Sequence, residues 1–469
     1  MRATIGTVRG VLLAVAACAA TQAFGQCQDA STVSAFYGSI FQVPEELRIE
    51  LKPDLSNPGA RALAIGGAFT SSADDATSVV ANPAGLGAIV RPTLFAEARP
   101  SQVLQYDRFD TGQIDVTQDR DPFIQKDGQS PPPWFASFVL PLGDKFAVAA
   151  FYQQLFGSSR SVDRVTGAAA ANGPCFETLN PRTGARQNAF VPLYAYEDDT
   201  TLSRGGLSAA FRASARFSFG ATVYLASESR RTTIKPGWGN GTFENVLPTQ
   251  VDTSSSKPGY ILGVQFTANE WLRFGAVYAG AVKFDAANDA VPGQTVLRRT
   301  VIPARAGLGA TIAPSPRFAM TLEGTWVQSS TFLDNTDIEN GFEGAVAVGA
   351  PQSSVRSNWD QSDTWEARIG LEYSVVQTRT RLFSLRAGFW AESPSNLRFT
   401  FPQAQDDLVA RAANDAIRAL FPDVDDPWLT HVTGGLGAVF NKKFQVDVGV
   451  DYETHTKRLV GSALLGYTF

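Results

Sequence analysis

Hydrophobic and polar residues alternate along most of this chain, as expected of strands with one apolar and one polar face. In 444–453 the even-numbered positions are apolar or aromatic and the odd-numbered positions are polar or glycine, and 365–373 repeats this pattern. The last such segment ends in a phenylalanine, Phe469. The predicted strands are 91–99, 134–141, 145–156, 202–212, 217–230, 257–268, 271–284, 303–313, 317–329, 363–376, 380–392, 430–440, 443–455 and 458–469.

The connections between these strands alternate in length, and the short ones carry turn residues. The short ones are 141–144, 214–216, 269–270, 314–316, 377–379 and 441–442; the long ones are 100–133, 157–201, 231–256, 285–302, 330–362 and 393–429. Outer-membrane barrels have short periplasmic turns and long outer loops. We therefore predict an all-β fold, a 14-stranded antiparallel transmembrane β-barrel with both chain ends on the periplasmic side. A soluble two-sheet sandwich is the alternative.

The loop 393–429 contains a predicted helix that starts near Asp406 and stops at Pro422. Its apolar stripe packs on the barrel rim or, alternatively, contacts an apolar ligand. The stripe consists of Leu408, Ala412, Ala416 and Leu420.

Composition and the N-terminus favour an exported barrel. Only 18% of residues are charged and the mean hydropathy is −0.07, which is too polar for a helical membrane protein. Residues 1–25 are a predicted signal peptide, with Arg2 and Arg9 before an apolar stretch and a small-x-small cleavage site at its end. The alternative is a lipidated Cys18. The net charge of −5 argues against binding to nucleic acid.

Cys27 and Cys175 remain after the predicted cleavage. In an exported protein such a pair suggests a disulfide, and two unpaired thiols are the alternative.

Residues 26–90 form a predicted N-terminal extension and plug, followed by a barrel over 91–469. The segment 59–69 is rich in glycine and alanine, which suits close backbone approach. Ala-Asp-Asp-Ala at 73–76 and Asn-Pro-Ala at 82–84 follow it. A compact segment of this kind fits inside a lumen, although an ordinary loop-helix-turn has the same features.

These motifs, placed directly before the first strand, resemble the hatch of the FadL/TodX family of outer-membrane transporters of long-chain fatty acids and other hydrophobic compounds. The resemblance implies a 14-stranded barrel plugged by the hatch, with passive transport of a hydrophobic small molecule. In that family a kink in the third strand opens the wall sideways, and here 145–156 contains no glycine. PorV-like accessory barrels, which dock exported proteins without transport, share similar motifs and are the alternative. The hatch residues are Gly66, Gly67, Asp74, Asp75, Asn82, Pro83 and Ala84.

An acyl chain binds by apolar area, and a carboxylate head would need an arginine. Among the arginines that face inward by strand parity, Arg368 and Arg386 are the predicted ligand contacts, with Arg212 and Arg305 as further candidates. The alternative is a structural network with Glu323, Glu366, Glu372, Asp447 and Asp451. The outer-loop candidates for first contact, which ordinary loop packing also explains, are Trp238, Phe243, Leu247, Val291 and Leu297.

Motifs of the common enzyme classes are missing from the sequence, which has no Gly-x-Ser-x-Gly, phosphate loop or His-Glu-x-x-His. His431 and His455 lie near the predicted outer rim, where a metal or hydrolase site is the lesser alternative to solvated groups. We predict a transporter without enzyme activity, cofactor or metal. Its expected partners are its cargo, outer-membrane lipid and lipopolysaccharide, and a barrel assembly machinery that recognises Phe469.

Overall fold

The computed structural model describes residues 55–99, 124–128, 134–163, 176–179, 186–189, 193–237, 249–288, 296–331, 359–395, 398–399, 428–455 and 457–469. Two α-helices, α1 (Ala60–Ala64) and α2 (Ser78–Ala81), and a 3₁₀-helix (Pro83–Ala88) precede the first strand. In this described part of the chain, no helix is long and apolar enough to cross a bilayer.

The strands are β1 (Thr93–Ala98), β2 (Ile124–Gly128), β3 (Trp134–Leu142), β4 (Phe146–Asp163), β5 (Phe176–Leu179), β6 (Arg186–Ala189), β7 (Leu193–Arg212), β8 (Phe217–Gly237), β9 (Thr249–Asn269), β10 (Leu272–Ala279), β11 (Val282–Asn288), β12 (Val296–Ile302), β13 (Arg305–Ser315), β14 (Phe318–Val327), β15 (Trp359–Asp360), β16 (Thr364–Gln377), β17 (Arg381–Glu392), β18 (Arg398–Phe399), β19 (Leu429–Phe440), β20 (Phe444–Glu453) and β21 (Leu459–Thr468).

Fourteen of these strands form the closed wall. In wall order they are β1, β3, β4, β7, β8, β9, β10, β13, β14, β16, β17, β19, β20 and β21, and each pairs antiparallel with its neighbours. The cylinder closes between the two ends of the chain, where β1 pairs with β21 from Thr93 and Thr468 onward. The predicted 14-stranded antiparallel barrel is confirmed.

The wall strands β7, β8 and β9 are about twice as long as a bilayer requires, at 20 or 21 residues each. Parts of the predicted loops 157–201 and 231–256 are therefore strand, which corrects their boundaries. The alternation of apolar and polar residues did not predict these extensions, because their residues are mostly polar and form no apolar face.

The predicted strand 271–284 is also corrected. The wall strand β10 ends at Ala279, and Val282–Asn288 pairs with β12 in a separate hairpin. Val282 and Phe284 continue the apolar alternation, but their side chains are buried in the interior cluster. Periodicity alone does not distinguish a strand of the wall from a strand whose apolar side chains pack in the interior.

The two faces of the wall differ as the alternation predicts. In β20 the even-numbered side chains are exposed and the odd-numbered ones point inward and are mostly buried. Aromatic side chains pack outside the short turns in pairs, such as Phe146 with Phe211 and Phe217 with Phe266. An apolar exterior bordered by aromatic residues is typical of a barrel in lipid.

Candidate functional site

The segment 55–90 lies inside the barrel and is almost completely buried. It is bound to widely separated wall strands: the Gly59 amide donates to Glu97 Oε2 in β1 at 2.6 Å, and the Thr70 amide donates to Glu323 Oε2 in β14 at 2.8 Å. The Thr222 hydroxyl in β8 donates to the Val79 carbonyl at 2.6 Å. We call this segment the hatch.

Four cross-strand glycine pairs bring the hatch backbone against the wall. The members of each pair lie opposite each other on neighbouring strands, as Gly220 and Gly263 do on β8 and β9. A Cβ on Gly220 would lie 2.2 Å from the Pro83 carbonyl carbon, and one on Gly388 would lie 2.4 Å from the Gly66 amide nitrogen. No side chain fits there. These pairs, which we call the glycine seat, are Gly220–Gly263, Gly275–Gly309, Gly370–Gly388 and Gly435–Gly449.

The Asn-Pro-Ala motif forms a buried turn that joins the hatch to β9. The Asn82 side-chain amide donates to the Thr70 carbonyl at 2.8 Å and to the Val264 carbonyl at 3.2 Å. Its oxygen accepts the Ala84 amide at 3.2 Å, and Pro83 begins the 3₁₀-helix, where a missing N–H costs nothing. Asparagine thus binds three backbone groups of a buried turn with one side chain.

Gly66 and Gly67 end helix α1 with positive φ angles of 68° and 73°. The Gly67 amide donates to the Ala62 carbonyl at 2.8 Å, a helix C-terminus that favours glycine. The backbone here also meets the wall, because Arg368 Nη1 donates to the Gly66 carbonyl at 2.9 Å.

Asp74 and Asp75 lie around the guanidinium of Arg61. Its Nη1 is 2.5 Å from Asp74 Oδ1 and 3.8 Å from Asp75 Oδ2, and its Nε is 2.8 Å from Glu372 Oε2 in β16. Asp75 Oδ1 also accepts the Thr77 amide at 2.9 Å. Burial raises the pKa of Asp75 from its ordinary 3.8 to about 6, although the Arg61 charge and the Thr77 hydrogen bonds oppose the shift.

A charged network continues from Arg61 along one side of the lumen. Arg386 Nε donates to Glu372 Oε2 at 2.8 Å and its Nη1 donates to Asp447 Oδ1 at 2.6 Å. Arg368 Nη2 donates to Glu366 Oε2 at 2.8 Å. The two arginines predicted as ligand contacts are thus paired with carboxylates, and the arrangement is the structural network of the alternative interpretation. Arg212 and Arg305 bind hatch carbonyls, those of Gly87 and Leu55.

The opposite side of the lumen, along β1 to β10, carries buried charged groups at Glu97, Arg99, Arg204, Glu228 and Arg230, and it also carries most of the buried apolar side chains. They form one cluster with the hatch residues Val79, Val80 and Leu86. This continuous cluster defines one side of the lumen, which we call the apolar side, whereas the ion pairs of Arg386 with Glu372 and Asp447 lie on the other side. The larger wall residues of this apolar lining are Phe95, Phe135, Phe151, Leu155, Leu202, Tyr224, Ile261 and Val277.

The third wall strand, β4, contains a bulge beside the apolar lining. Gln154 pairs with Ser203 and Phe156 pairs with Leu202, so Leu155 has no partner in the register of β7. On the other edge, the pairing with β3 ends at Gln153. A bulge bends a strand and interrupts its ladder. The lack of glycine in 145–156 gave no indication of this bulge. The signal that was available in the sequence is the pair of adjacent polar residues Gln153 and Gln154 in an otherwise apolar strand.

The two histidines that were predicted near the outer rim have different surroundings. His431 Nδ1 is 3.0 Å from Asp451 Oδ1 and its ring stacks on Trp390, whereas His455 is exposed. Among the described residues no group of three or more His, Cys, Asp or Glu side chains is arranged to hold a metal.

Leu297 pairs with Ala287 in the β11–β12 hairpin. The predicted elements outside the described residues are the signal peptide, Cys18, Cys27, Cys175, Trp238, Phe243, Leu247, Val291 and the helix near 406–422.

A closed 14-stranded wall with an apolar exterior and a hatch in its lumen is the architecture of a plugged outer-membrane β-barrel. The chain belongs to the family described as outer membrane protein transport protein (OMPP1/FadL/TodX), whose model matches residues 52–462. It is an outer-membrane β-barrel of a family that transports hydrophobic compounds.

The fold of this chain is similar to that of solved structures. A Pseudomonas aeruginosa FadL homologue has the same fold, with a TM-score of 0.51 and 16% identity over 88% of this chain and 98% of that chain. The Ralstonia pickettii toluene transporter TbuX gives a TM-score of 0.49 and 14% identity over 88% of this chain and 99% of that chain. No curated protein matches.

Proposed function

We propose that this protein carries long-chain fatty acids or similar hydrophobic small molecules down the apolar side of its lumen and releases them sideways at the bulge in β4. The process is passive and involves no bond-making step. The observation that supports the proposal most strongly is the continuous apolar cluster, because a lining that continues from the hatch to β4 offers a hydrophobic molecule a path away from water.

The apolar lining accounts for binding without a specific polar contact. Burial of apolar surface contributes about 25 cal/mol per Å², or about 0.8 kcal/mol for each CH₂ group. Six CH₂ groups therefore contribute about 5 kcal/mol before the entropy cost of binding. Arg368 and Arg386 are engaged by carboxylates and the hatch. Recognition in this lumen therefore depends on apolar area, and a neutral hydrophobe suits it as well as a fatty acid does.

The sideways exit is supported by the position of Leu155. Its side chain is buried in the same cluster as the lining, and it lies where β4 leaves the register of its neighbour. The pairing of β4 with β3 ends at Gln153, and β4 pairs on that edge again only from Ser159, with β2. Fewer ladder bonds at this point favour a local opening between strands.

The proposal includes delivery to the membrane. We assign residues 1–25 to an export signal, 26–90 to the extension and hatch, and 91–469 to the barrel. The exterior contacts outer-membrane lipid and lipopolysaccharide, and Phe469 is the C-terminal signal for assembly. Phe469 lies at the rim, where its amide donates to the Pro92 carbonyl at 3.0 Å and its ring packs on Tyr467.

The experiment compares uptake of a radiolabelled fatty acid by cells or vesicles that carry the protein. Phe135→Asn places an amide in the apolar lining, and Phe138→Asn changes the lipid-facing position three residues further along the same strand. We expect Phe135→Asn to lower uptake by about tenfold, equivalent to about 1.4 kcal/mol, and Phe138→Asn to lower it far less. Leu155→Asn tests the exit in the same way.

Two results would overturn the proposal. If folded Phe135→Asn and Leu155→Asn both take up the fatty acid at the wild-type rate, the apolar lining is not the path of the cargo. Wild-type uptake no greater than that of membranes lacking the protein would favour the non-transporting accessory role.

A further inference from the structure

The two parts of the hatch are bound to the wall by different chemistry. Residues 55–75 are bound mainly by ionised wall side chains, as in the bonds of Glu97 to the Gly59 amide and of Glu323 to the Thr70 amide. Charge-assisted hydrogen bonds are about twice as strong as neutral ones. The ionised wall residues that bind this part are Glu97, Arg99, Arg305, Glu323, Arg368 and Glu372.

The second part, residues 76–88 with α2 and the 3₁₀-helix, is bound mainly by neutral groups. The hydroxyls of Ser137, Thr222 and Ser218 donate to the carbonyls of Ala76, Val79 and Ala84. Two arginines also reach it: Arg212 binds the Gly87 carbonyl at its end, and Arg305 lies a long 3.4 Å from the Val80 carbonyl. Neutral hydrogen bonds exchange for bonds to water at small net cost.

The apolar contacts of the two parts also differ. Ala76, Val79, Val80 and Leu86 of the second part belong to the cluster that lines the apolar side of the lumen. In the first part, Ala62, Ile65, Phe69 and Ala73 form a separate cluster with Ala81, within the hatch itself, whereas Ala60 and the partly buried Leu55 join the lining cluster. A hydrophobic molecule in the lining therefore meets α2 and the 3₁₀-helix, and it replaces the contacts that hold them.

We propose that α2 and the 3₁₀-helix form the moving gate, while residues 55–75 stay on the wall as a fixed collar during transport. This inference rests on the proposed function, since it divides the hatch by the path of the cargo. The gate packs against β7, β8 and β9, and α2 also contacts β4, the strand with the bulge. Displacement of the gate alone connects the apolar lining with the proposed exit, without breaking the ion pairs of the collar.

Two disulfide locks test this division. Ser71→Cys with Thr311→Cys joins the collar to β13, where the two native hydroxyl oxygens are 2.7 Å apart. Gly87→Cys with Ser218→Cys joins the gate to β8, where a Cβ on Gly87 lies 3.8 Å from Ser218 Cβ, a separation typical of disulfides. Both pairs are built in a Cys27→Ser, Cys175→Ser background, and bond formation is verified by mass spectrometry before uptake is measured.

We expect the oxidised gate lock to lower fatty-acid uptake by about tenfold, equivalent to about 1.4 kcal/mol, and a reductant to restore it. The oxidised collar lock should stay within about twofold of its reduced form. Equal inhibition by both locks, or normal uptake with the gate lock closed, would overturn the inference. Absence of uptake in the reduced forms and in the cysteine-free parent would instead count against the proposed function itself.

Hydrogen exchange gives the same distinction without substitutions. With a saturating fatty acid, amides of the gate should exchange faster while those of the collar keep their protection. Uniform acceleration across the hatch, or acceleration confined to the collar, would contradict the division.

Discussion

Arg386→Gln should destabilise the barrel strongly, because it leaves two carboxylates without their shared cation. The Arg386 side chain is 5% exposed, and it bonds Glu372 at 2.8 Å and the 2%-exposed Asp447 at 2.6 Å. Loss of one partner from a buried ion pair costs about 3–5 kcal/mol. Glu372 keeps Arg61 as a partner, so most of the cost arises at Asp447, which retains the Gln445 amide at 2.6 Å.

The assay is urea unfolding in detergent micelles, with Arg231→Gln as the matched control. Arg231 bonds Asp252 at 3.0 Å, but the two side chains are 63% and 57% exposed. An exposed pair of this kind contributes about 0–1 kcal/mol. A loss in Arg386→Gln no larger than that in Arg231→Gln would refute the reasoning. Arg386→Leu with Asp447→Leu should recover most of the loss, because no unpaired charge remains at Asp447.

Three further outcomes are expected. Gly388→Val should dislodge the hatch and raise ion conductance across planar bilayers, whereas Gly434→Ala, whose Cβ meets nothing closer than 3.7 Å, should not; equal conductance would contradict the glycine seat. The pKa of Asp75 is raised to about 6, so the contribution of this group to folding stability is fully present below its ordinary 3.8 and is lost as pH rises through about 6; Asp75→Asn should lack this loss relative to the wild type, and an identical pH dependence of unfolding in both proteins would exclude the assignment. Leu308→Arg on the lipid face should cost up to about 2–4 kcal/mol in a lipid refolding titration, and no loss would place that face outside the bilayer.

The wall was predictable because each of its strands has one face toward lipid and one toward the lumen. Segments such as Phe444–Glu453 show this division in their own alternation of apolar and polar residues. Strand parity also predicted that Arg305, Arg368 and Arg386 face the lumen, as they do in the structure. Local alternation does not specify where a strand leaves the wall, so the end of β10 at Ala279 was not predicted.

The details of the site depend on contacts between distant positions. Arg386 and Asp447 are 61 residues apart, and their pairing follows from the register of three strands. The glycine seat likewise requires two glycines to meet across strands at the depth of the hatch. Many glycines occur in the sequence, and pairing alone distinguishes these eight. The Asn-Pro-Ala motif was recognisable because it acts within three consecutive residues.

The closure of the cylinder joins the two wall strands that lie farthest apart in the sequence, from Thr93 to Thr468. This is therefore the most non-local pairing in the wall, and its loop-closure cost in chain entropy falls on almost the entire barrel segment. The polypeptide that enters β1 comes directly from the lumen, and its contacts reach nearly every wall strand. A sheet that curls around this segment forms those contacts on the way to closure, and the hatch then needs no entry through a finished ring.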